Sequence, residues 1–310
     1  MTTATDRSDR SDLPAPHAAA LTGHLFVGAT RVPGTGAETH SADPRTGRVL
    51  APAYRQAGSA QVSRACALAE EAFDAYRAVA PARRARFLER IADNLADLAD
   101  ALVDRAGQET GLPHARLTGE VARTTGQLRL FADVVREGSW HGARIDLALP
   151  ERQPVPRPDL RQRQIPLGPV AVFGASNFPL AFLGGRRRHR RRRLGDVLRA
   201  VEGQLTATVH AGPTDLDDVR RLLPVLERRA GRIVFDGWPT GVEVGHAMVH
   251  GGPFPATSDP RATSVGSLAI ERFLRPVAYQ NAPRELLPAP VGDGNPCRIP
   301  RRVDGTLSFD

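Results

Sequence analysis

The sequence predicts an α/β fold in which a group of helices precedes short segments of sheet. Between residues 59 and 138, apolar side chains recur every three or four positions, the spacing typical of amphipathic helices. Residues 204–237 alternate strand-like, helix-like and strand-like segments, an order that favours parallel strands packed on a helix. Between these regions, residues 170–173 form a short apolar run typical of a buried strand.

The composition is that of a globular protein, with 41% hydrophobic and 25% charged residues in a chain of 310. The formal charge of +8 is concentrated, because Arg186–Arg188 and Arg190–Arg193 supply seven positive charges. All 42 basic residues are arginines. A lysine Schiff base and a P-loop lysine are therefore excluded.

The chain has two cysteines, Cys66 and Cys297, which lie far apart in the sequence. This spacing predicts neither a metal site nor a disulfide framework, and it favours a reducing compartment. The N-terminal residues lack the apolar core of a signal peptide, and no run of about 18 apolar residues occurs. We therefore expect a cytoplasmic protein with no membrane partner.

The first part of the chain combines a tail, hairpins and a helix. Residues 1–20 are polar and aperiodic, which predicts a disordered tail. Hairpins are predicted between His24 and Pro52, where the turn sequences PGTG and DPRTG separate short apolar segments. A helix then begins at Ser59 and ends before Pro81. Its predicted core face comprises Val62, Ala65, Cys66, Ala69, Ala72 and Phe73, so Cys66 is expected to be a buried apolar residue and not a reactive thiol.

Two further helices are predicted. One begins at Pro81 and is closed by Gly111, and the other covers residues 114–138. In the second of these, Arg123 and Gln127 are four residues apart and share one face. Two interpretations of that pair remain open, an anchor for a substrate carboxylate and a solvated helix face.

The second half of the chain is predicted to be richer in strands. Proline-rich strands cover residues 144–168, and the buried strand Val170–Phe173 ends in a Gly-Ala-Ser-Asn turn. A strand is predicted at Gln204–His210 and another at residues 232–237. The helix between them contains Pro224, a candidate interruption.

The segment IPLGPVAVFGASNFPLAF, residues 165–182, resembles the aldehyde dehydrogenase superfamily, and within it the branch that oxidises 2-oxoglutarate semialdehyde, also called 2,5-dioxovalerate. Two long segments extend the resemblance, GQETGLPHARLTGEVARTTGQLRLFADVVREGSW and GWPTGVEVGHAMVHGGPFPATSDPRATSVGSLAIERFLRPVAYQN. Together the similarity covers most of residues 24–182 and 202–307. It implies NADP or NAD as cofactor, a small-molecule aldehyde as substrate and a homo-oligomer.

The resemblance also implies site residues. In this family the asparagine of the NFP turn donates its amide to the oxyanion that forms when a thiolate attacks the aldehyde, and Asn177 occupies that place. The loop GGPFPATSD, residues 251–259, resembles a segment near the substrate entrance, although its composition is also that of an ordinary turn-rich loop. Four residues are implied near the nicotinamide end of the cofactor, namely Gly174, Ala175, Ser176 and Phe178.

The resemblance contains a gap. In the family, the segment between the NFP turn and the strand at Gln204 holds most of the dinucleotide-binding sheet, a cofactor-contacting lysine, the glutamate base and the nucleophilic cysteine. Here that interval is residues 183–201, mostly arginine and glycine. Cys66 lies on an upstream helix and Cys297 in a tail that the family uses for subunit contacts. We therefore predict that the chain lacks the nucleophile and has no dehydrogenase activity.

These observations predict an incomplete aldehyde dehydrogenase-like fold of the α/β class, with N-terminal helices, a truncated Rossmann-like cofactor domain and the tail of a catalytic domain. Poor cofactor binding is expected, because a single strand provides no βαβ crossover. Exposed apolar faces predict insolubility or oligomerisation. The predicted parts are a disordered tail (1–20), the N-terminal part of a cofactor-binding domain with oligomerisation strands (21–182), an arginine-rich junction (183–201), a catalytic-domain remnant (202–295) and an oligomerisation tail (296–310).

Three explanations compete for the arginine-rich junction. The favoured one is a frameshifted or internally deleted gene. The resemblance implies the segment Gly-Gly-Asp-Thr-Ala after the NFP turn, and in GC-rich codons this segment is GGC GGC GAC ACC GCC. Read two bases later, the same bases encode Arg-Arg-His-Arg, the order of residues 187–190. The second is a tolerated linker in a non-catalytic scaffold that co-assembles with an intact homologue through the strands of residues 152–165 and the C-terminal tail. The third is polyanion binding through Arg186–Arg193. Nucleic acid is not the expected partner, because no aromatic residues are interleaved with these arginines.

Overall fold

The computed structural model describes residues 21–172, 178–181, 202–239 and 241–310. The predicted N-terminal tail, the Gly-Ala-Ser-Asn turn (residues 174–177, including Asn177) and the arginine-rich junction lie outside the described residues. Two compact units are present. The first is drawn from the ranges Met1–Ala78, Phe87–Leu128 and Ala171–Gly184, and the second from Val79–Arg86, Arg129–Val170 and Gly185–Asp310.

The first unit begins with hairpins, as predicted, although the PGTG turn lies between two hairpins and closes neither. Strands β1 (Leu25–Val27) and β2 (Thr30–Val32) pair antiparallel. Strands β3 (Glu38–Ala42) and β4 (Val49–Arg55) form the second antiparallel pair. The turn that joins them is closed by the N–H of Gly47, which donates to the carbonyl oxygen of Asp43 at 2.8 Å.

The predicted helices are present, with one difference. Their bounds are Ser59–Arg77 (α1), Pro81–Asp97 (α2), Ala99–Thr110 (α3) and His114–Glu137 (α4). The single helix predicted from Pro81 to Gly111 is divided at Leu98, whose ψ of 6° departs from helical geometry. Gly111 ends α3 in the left-handed conformation, with φ of 68°, as expected for a glycine C-cap.

The predicted core face of α1 is confirmed only in part. Ala65 and Phe73 are half-buried, but Cys66, Val62 and Ala69 are exposed. Gln61 and Leu68 lie on the face that packs against the hairpins, and the Gln61 amide donates to the carbonyl oxygen of Pro33 at 2.8 Å and accepts from Thr35. Ala-rich helices carry apolar side chains on more than one face, and periodicity alone does not identify the face that is covered.

The core of the first unit lies between α3 and α4. Val103 and Ala106 of α3 pack against Leu117 and Val121 of α4, and Leu117 is fully buried. Leu180, which follows the NFP turn, packs against the same cluster. The turn is therefore joined to the core of this unit by an apolar contact as well as by the hydrogen bonds described below.

The second unit contains a five-stranded sheet. Its strands are β5 (Arg144–Asp146), β6 (Leu160–Pro166), β9 (Leu274–Gln280), β10 (Arg301–Val303) and β11 (Thr306–Ser308). The proline-rich segment supplies two of them, β5 and β6, as predicted. They lie in the order β11, β10, β5, β6, β9, and all pairs are antiparallel except β5 with β10. Ala143, Ile145, Val291 and Ile299 form the buried cluster beside this sheet.

A buried arginine connects this sheet to the C-terminal region. Arg161 of β6 is 3% exposed, and its guanidinium pairs with the carboxylates of Asp159 at 2.8 Å and Asp293 at 2.7 Å. It also donates to the carbonyl oxygen of Val291 at 2.7 Å. The hydrogen bond from Arg161 lowers the pKa of Asp293. Because every charge buried here has partners, the penalty for removing it from water is offset.

The predicted strand, helix, strand order is confirmed in residues 204–235. Strands β7 (Gln204–Val209) and β8 (Ala230–Phe235) are parallel, and α5 (Leu216–Glu227) connects them. The helix continues through Pro224, so the candidate interruption does not divide it. None of the helices in the described part of the chain is long and apolar enough to cross a membrane.

The predicted buried strand at Val170–Phe173 is not borne out in its described part. Residues 170–172 belong to no strand, and Val170 and Val172 are 53% and 76% exposed. An apolar run is buried only when another layer covers it. Among the described residues, no strand pairs with this segment.

Glycines allow a backbone loop to pack directly on the first residues of β7 and β8. A Cβ on Gly203 would overlap the carbonyl oxygens of Pro253 and Phe254, and one on Gly231 would overlap that of Gly251. The N–H of Gly203 donates to the carbonyl oxygen of Phe254 at 3.2 Å.

We therefore expect Gly203→Ala to lower the free energy of unfolding of the second unit by about 1–3 kcal/mol, because main-chain atoms would have to move. Gly245→Ala is the matched control, since a Cβ there meets no atom within 4 Å. Urea denaturation of both variants measures the difference. Equal stability of the two variants would contradict the packing described here.

His141 makes the stability of the second unit depend on pH. Its side chain is 7% exposed and stacks on Trp140, with ring centroids 3.8 Å apart. Burial, reinforced by the positive charges of Arg163 and Arg84, lowers the pKa of His141 from 6.5 to about 4. The native state therefore holds a neutral imidazole over a range in which the unfolded chain binds a proton.

The expected consequence is a loss of stability as pH falls. The contribution of His141 is fully present above pH 6.5 and is lost between pH 6.5 and about 4. The loss amounts to about 3 kcal/mol, from the difference between the two pKa values. His141→Phe should reduce this slope in chemical-denaturation curves measured across that range, whereas replacing the exposed His246 by Gln should leave it unchanged. Part of the slope should remain, because burial also lowers the pKa of His250. A slope as steep in His141→Phe as in the unaltered chain would contradict the assignment.

Candidate functional site

The described part of the candidate site is the segment that follows Asn177, residues 178–181, together with the helix on which it lies. Phe178 is the one predicted cofactor residue within the described ranges. The roles predicted for Asn177, Gly174, Ala175, Ser176 and Phe178 stay predictions. What the structure adds is the way in which the end of the turn is held.

Helix α4 holds the turn through three side chains spaced four residues apart. The Glu120 carboxylate accepts the N–H of Leu180 at 3.1 Å, and the Thr124 hydroxyl donates to the Leu180 carbonyl oxygen at 2.7 Å. Arg116 pairs with Glu120 at 3.1 Å, and its guanidinium lies 5.2 Å from the ring centroid of Phe178. Both backbone groups of Leu180 are thereby satisfied by side chains of one helix. We call Arg116, Glu120 and Thr124 the α4 clamp.

The clamp contains a nearly buried carboxylate. Glu120 is 6% exposed, so its charge is stabilised by the Arg116 guanidinium and the Leu180 N–H and very little by water. A group in this position holds the backbone of Leu180 at a fixed distance from the helix.

Arg123 and Gln127, the pair predicted on this helix, are half-buried, and neither side chain hydrogen-bonds to residues 178–181. A role in binding a substrate carboxylate stays a prediction. The spacing of Arg116, Glu120 and Thr124 places a cation, an anion and a hydroxyl on one helix face, but an ordinary helix face with an ion pair has the same pattern.

Removing the hydroxyl of the clamp should loosen the turn. In Thr124→Val the Leu180 carbonyl oxygen loses its donor, which costs about 1 kcal/mol and corresponds to a roughly fivefold faster exchange of the Leu180 amide. Thr118→Val is the control on the same helix, because the Thr118 hydroxyl donates to the His114 carbonyl oxygen and not to the turn. Hydrogen exchange of the two variants checks this. The same rate in both would show that Thr124 does not hold the turn.

The two thiols lie in unlike environments. Cys66 is exposed on α1, and the residues one turn away, Val62, Ser63, Ala69 and Glu70, include no cation. Cys297 is half-buried against the Ala143 and Ile145 cluster. Burial raises the pKa of Cys297, although Arg163 and Arg301 partly oppose that effect.

The loop of residues 251–259 lies at the amino ends of β7 and β8. The Thr257 hydroxyl donates to the carbonyl oxygen of Gly252 at 2.7 Å and so closes the loop on itself. Because α/β sheets bind ligands at the carboxyl ends of their strands, this position agrees with a packing role for the loop. A role at a substrate entrance stays a prediction.

The carboxyl ends of β7 and β8 carry a polar and aromatic group that the sequence analysis did not select. Asp236 adopts φ of 51°, and its carboxylate accepts the N–H of Ala211 at 3.2 Å and lies 3.9 Å from His210 Nδ1. The Trp238 ring centroid is 6.0 Å from that of His210, and Trp238 is 78% exposed. The signal was the sequence FDGW, at the end of the predicted strand.

Comparison with known proteins supports the resemblance. Residues 32–187 match the model of the aldehyde dehydrogenase family. Alpha-ketoglutaric semialdehyde dehydrogenase 2 of Azospirillum brasilense is 32% identical over 520 aligned positions, which cover 92% of this chain and 99% of the relative. Alpha-ketoglutaric semialdehyde dehydrogenase of Acinetobacter baylyi is 29% identical over 488 positions, which cover 82% of this chain and 93% of the relative. The chain belongs to the aldehyde dehydrogenase family.

Solved structures give shorter matches. 3,6-Anhydro-L-galactose dehydrogenase in complex with NAP matches with a TM-score of 0.45 and 23% identity, over 51% of this chain and 31% of that one. Aldehyde dehydrogenase 21 from Physcomitrella patens, in complex with the reaction product succinate, matches with a TM-score of 0.44 and 23% identity, over 50% of this chain and 31% of that one. The chain thus spans about a third of the length of these solved structures.

The alignment with the Azospirillum relative is longer than this chain. It has 520 positions and this chain has 310 residues, so at least 210 positions face no residue here. The alignment includes 92% of the chain, which requires matched residues beyond position 187, where the family model ends. The similarity therefore extends into the second half of the chain.

The βαβ unit of residues 204–235 does not fit a dinucleotide. The pyrophosphate of NAD or NADP binds where a strand leads into a helix N-terminus. The one such junction in the described βαβ unit leads from β7 into α5, and Asp215, Asp217 and Asp218 lie at the start of that helix. Three carboxylates would repel a pyrophosphate. Among the described residues, no group of three or more His, Cys, Asp and Glu side chains could hold a metal ion.

Proposed function

We propose that this chain derives from an NAD(P)-dependent dehydrogenase of 2-oxoglutarate semialdehyde and has no dehydrogenase activity of its own. The substrate class is suggested by the Azospirillum and Acinetobacter relatives, both named for alpha-ketoglutaric semialdehyde. The absence of dehydrogenase activity is suggested by the environments of the two thiols, Cys66 and Cys297. The proposed location is the cytoplasm, in keeping with two free cysteines.

The environment of the thiols carries this proposal. Oxidation of an aldehyde by this family requires a thiolate, and a thiol becomes a thiolate near neutral pH only where its pKa is lowered by a cation or a helix N-terminus. Cys297 has the opposite property, because burial raises its pKa. Cys66 lies in the middle of α1, away from the helix N-terminus, with Glu70 one turn further on. Neither thiol has an activating environment.

The length of the alignment supports the same conclusion. At least 210 aligned positions of the Azospirillum relative have no counterpart here. Residues 183–201, where the resemblance implies the catalytic cysteine and glutamate, contain neither residue type. A nucleophile and a general base are both required for acyl transfer to water. Asn177 would then be an oxyanion donor without a nucleophile beside it.

A turnover assay tests the proposal. Purified chain mixed with 2-oxoglutarate semialdehyde and either NAD or NADP should produce no reduced nicotinamide, because no activated thiol attacks the aldehyde. The Azospirillum relative serves as the positive control under the same conditions. Turnover that disappears in Cys66→Ser or Cys297→Ser would overturn the proposal and identify the nucleophile.

The origin of the junction is open to direct measurement. Resequencing the gene across the codons for Phe182 to Glu202 should return the short junction if the gene is truncated. An intact frame that encodes a cysteine and a glutamate in the restored segment would instead assign the family activity to the full product. Co-assembly with an intact homologue stays a prediction. Its proposed strands, in residues 152–165 and in the tail, lie in one five-stranded sheet.

A further inference from the structure

A cavity in the first unit lies between the β1 and β2 hairpin and helix α1. Its volume is about 470 Å³, within the range of small-molecule sites in proteins. Val27 and Val32 of the hairpin line one side, and Ala60 and Leu68 of α1 line the other. The walls are therefore mostly apolar. The cavity shares no residue with the α4 clamp, which belongs to the candidate site described above.

Strand pairing and helical spacing produce these two walls. Val27 pairs with Thr30 across the hairpin, so both side chains lie on the face toward α1. Ala60, Arg64 and Leu68 are spaced four residues apart on α1 and share one face, which lies toward the hairpin. Because Ala60 is small, the helix does not fill the space beside it.

The hairpin is held at a defined distance from the helix at both ends of the cavity. At one end, the Gln61 amide donates to the carbonyl oxygen of Pro33 at 2.8 Å, and its oxygen accepts the N–H of Thr35 at 3.1 Å. At the other end, a Cβ on Gly28 would lie 3.0 Å from Leu68 Cδ1, so the turn backbone lies close to the helix. A ligand would therefore enter a cavity that is already formed, which lowers the cost of binding.

The polar groups of the lining determine which ligand chemistry fits. The Thr30 hydroxyl donates to the Val27 carbonyl oxygen at 2.8 Å, and the Gln61 amide is engaged as described above. The remaining polar side chain of the lining is Arg64, which pairs with Glu71 at 3.4 Å. These two side chains are 58% and 64% exposed, so their pairing contributes little to stability and a ligand anion can replace Glu71. The lining therefore matches a ligand with one anionic group and an apolar body.

We propose that this cavity binds a small amphipathic carboxylate. The apolar body lies against Val27, Val32 and Leu68, and the carboxylate accepts hydrogen bonds from the Arg64 guanidinium. Burial of the apolar body supplies most of the affinity, and the charge-assisted hydrogen bonds set the orientation, since a guanidinium matches a carboxylate in planar geometry. The proposal does not rest on the proposed function, because no step of dehydrogenase chemistry enters it.

Titration of the full chain with sodium octanoate tests the proposal. Calorimetry should show saturable binding, and the NMR signals of the Val27, Val32 and Leu68 methyl groups should shift with the same affinity. Octanol, which has the same apolar chain and no charge, should bind at least about tenfold more weakly, because it loses the charge-assisted hydrogen bonds. Acetate, which has the charge and almost no apolar body, should not bind measurably.

Variants of α1 separate the contributions of charge and space. Arg64→Gln should weaken octanoate binding at least about tenfold, whereas Arg77→Gln, at the end of the same helix, should leave it unchanged. Ala60→Leu should fill the cavity and weaken binding by a similar factor, and Ala67→Leu is its control, since Ala67 is exposed on α1 outside the lining. Glu71→Gln should strengthen binding about two- to threefold, because it removes the carboxylate that competes for Arg64.

The proposal fails if octanoate shifts none of these methyl signals. It also fails if octanol binds as tightly as octanoate, since the cavity would then accept any apolar compound, or if Arg64→Gln and Arg77→Gln lower the affinity equally. A dimer, detected by light scattering, that covers the cavity and excludes octanoate would assign this surface to a second copy of the chain.

Discussion

A β-strand is stable in water only when neighbouring strands pair with its backbone and another layer covers its apolar side chains. Some strands of this chain meet this requirement and others do not. The five-stranded sheet meets it: each strand is paired, and Ile145, Val291 and Ile299 are buried beside the sheet. The segment at Val170 and Val172 and the β7 and β8 pair do not meet it. Both lie near the junction of residues 183–201 in the sequence.

Because the chain contains no lysine, arginine side chains make the hydrogen bonds and ion pairs that join distant segments of the second unit. Arg161 reaches two carboxylates and a carbonyl oxygen, and Arg301 donates to the main-chain oxygens of Gly292 and Asp310. Arg157 bonds both the Leu147 carbonyl oxygen and the Asp304 carboxylate. A guanidinium offers five donors in a rigid plane, so a single side chain can join segments that are distant in the sequence. Arginines thus hold the tail against the sheet, whereas the charges of Arg186–Arg193 belong to the junction.

The candidate site shows which features sequence patterns can predict and which they cannot. The NFP turn was recognised from its residues, and the family to which that turn pointed is confirmed. The side chains that hold the turn were not recognised, because Glu120 and Thr124 act on the backbone of Leu180, which is distant in the sequence. Their pattern on α4 is equally typical of an ordinary helix face with an ion pair. Only the position of the turn relative to the helix distinguishes the two cases.

The sequence by itself determined the helices, the hairpins, the βαβ order and the family, because periodicity, turn residues and motif spacing are local properties of the chain. The tertiary structure decided which apolar residues are covered. Cys66 and Val172 have the local pattern of buried residues and are exposed, and Arg161 is charged and is buried. The physical reason is that a side chain is buried only where another part of the protein covers it. The few residues around a position do not determine whether such a covering surface is present.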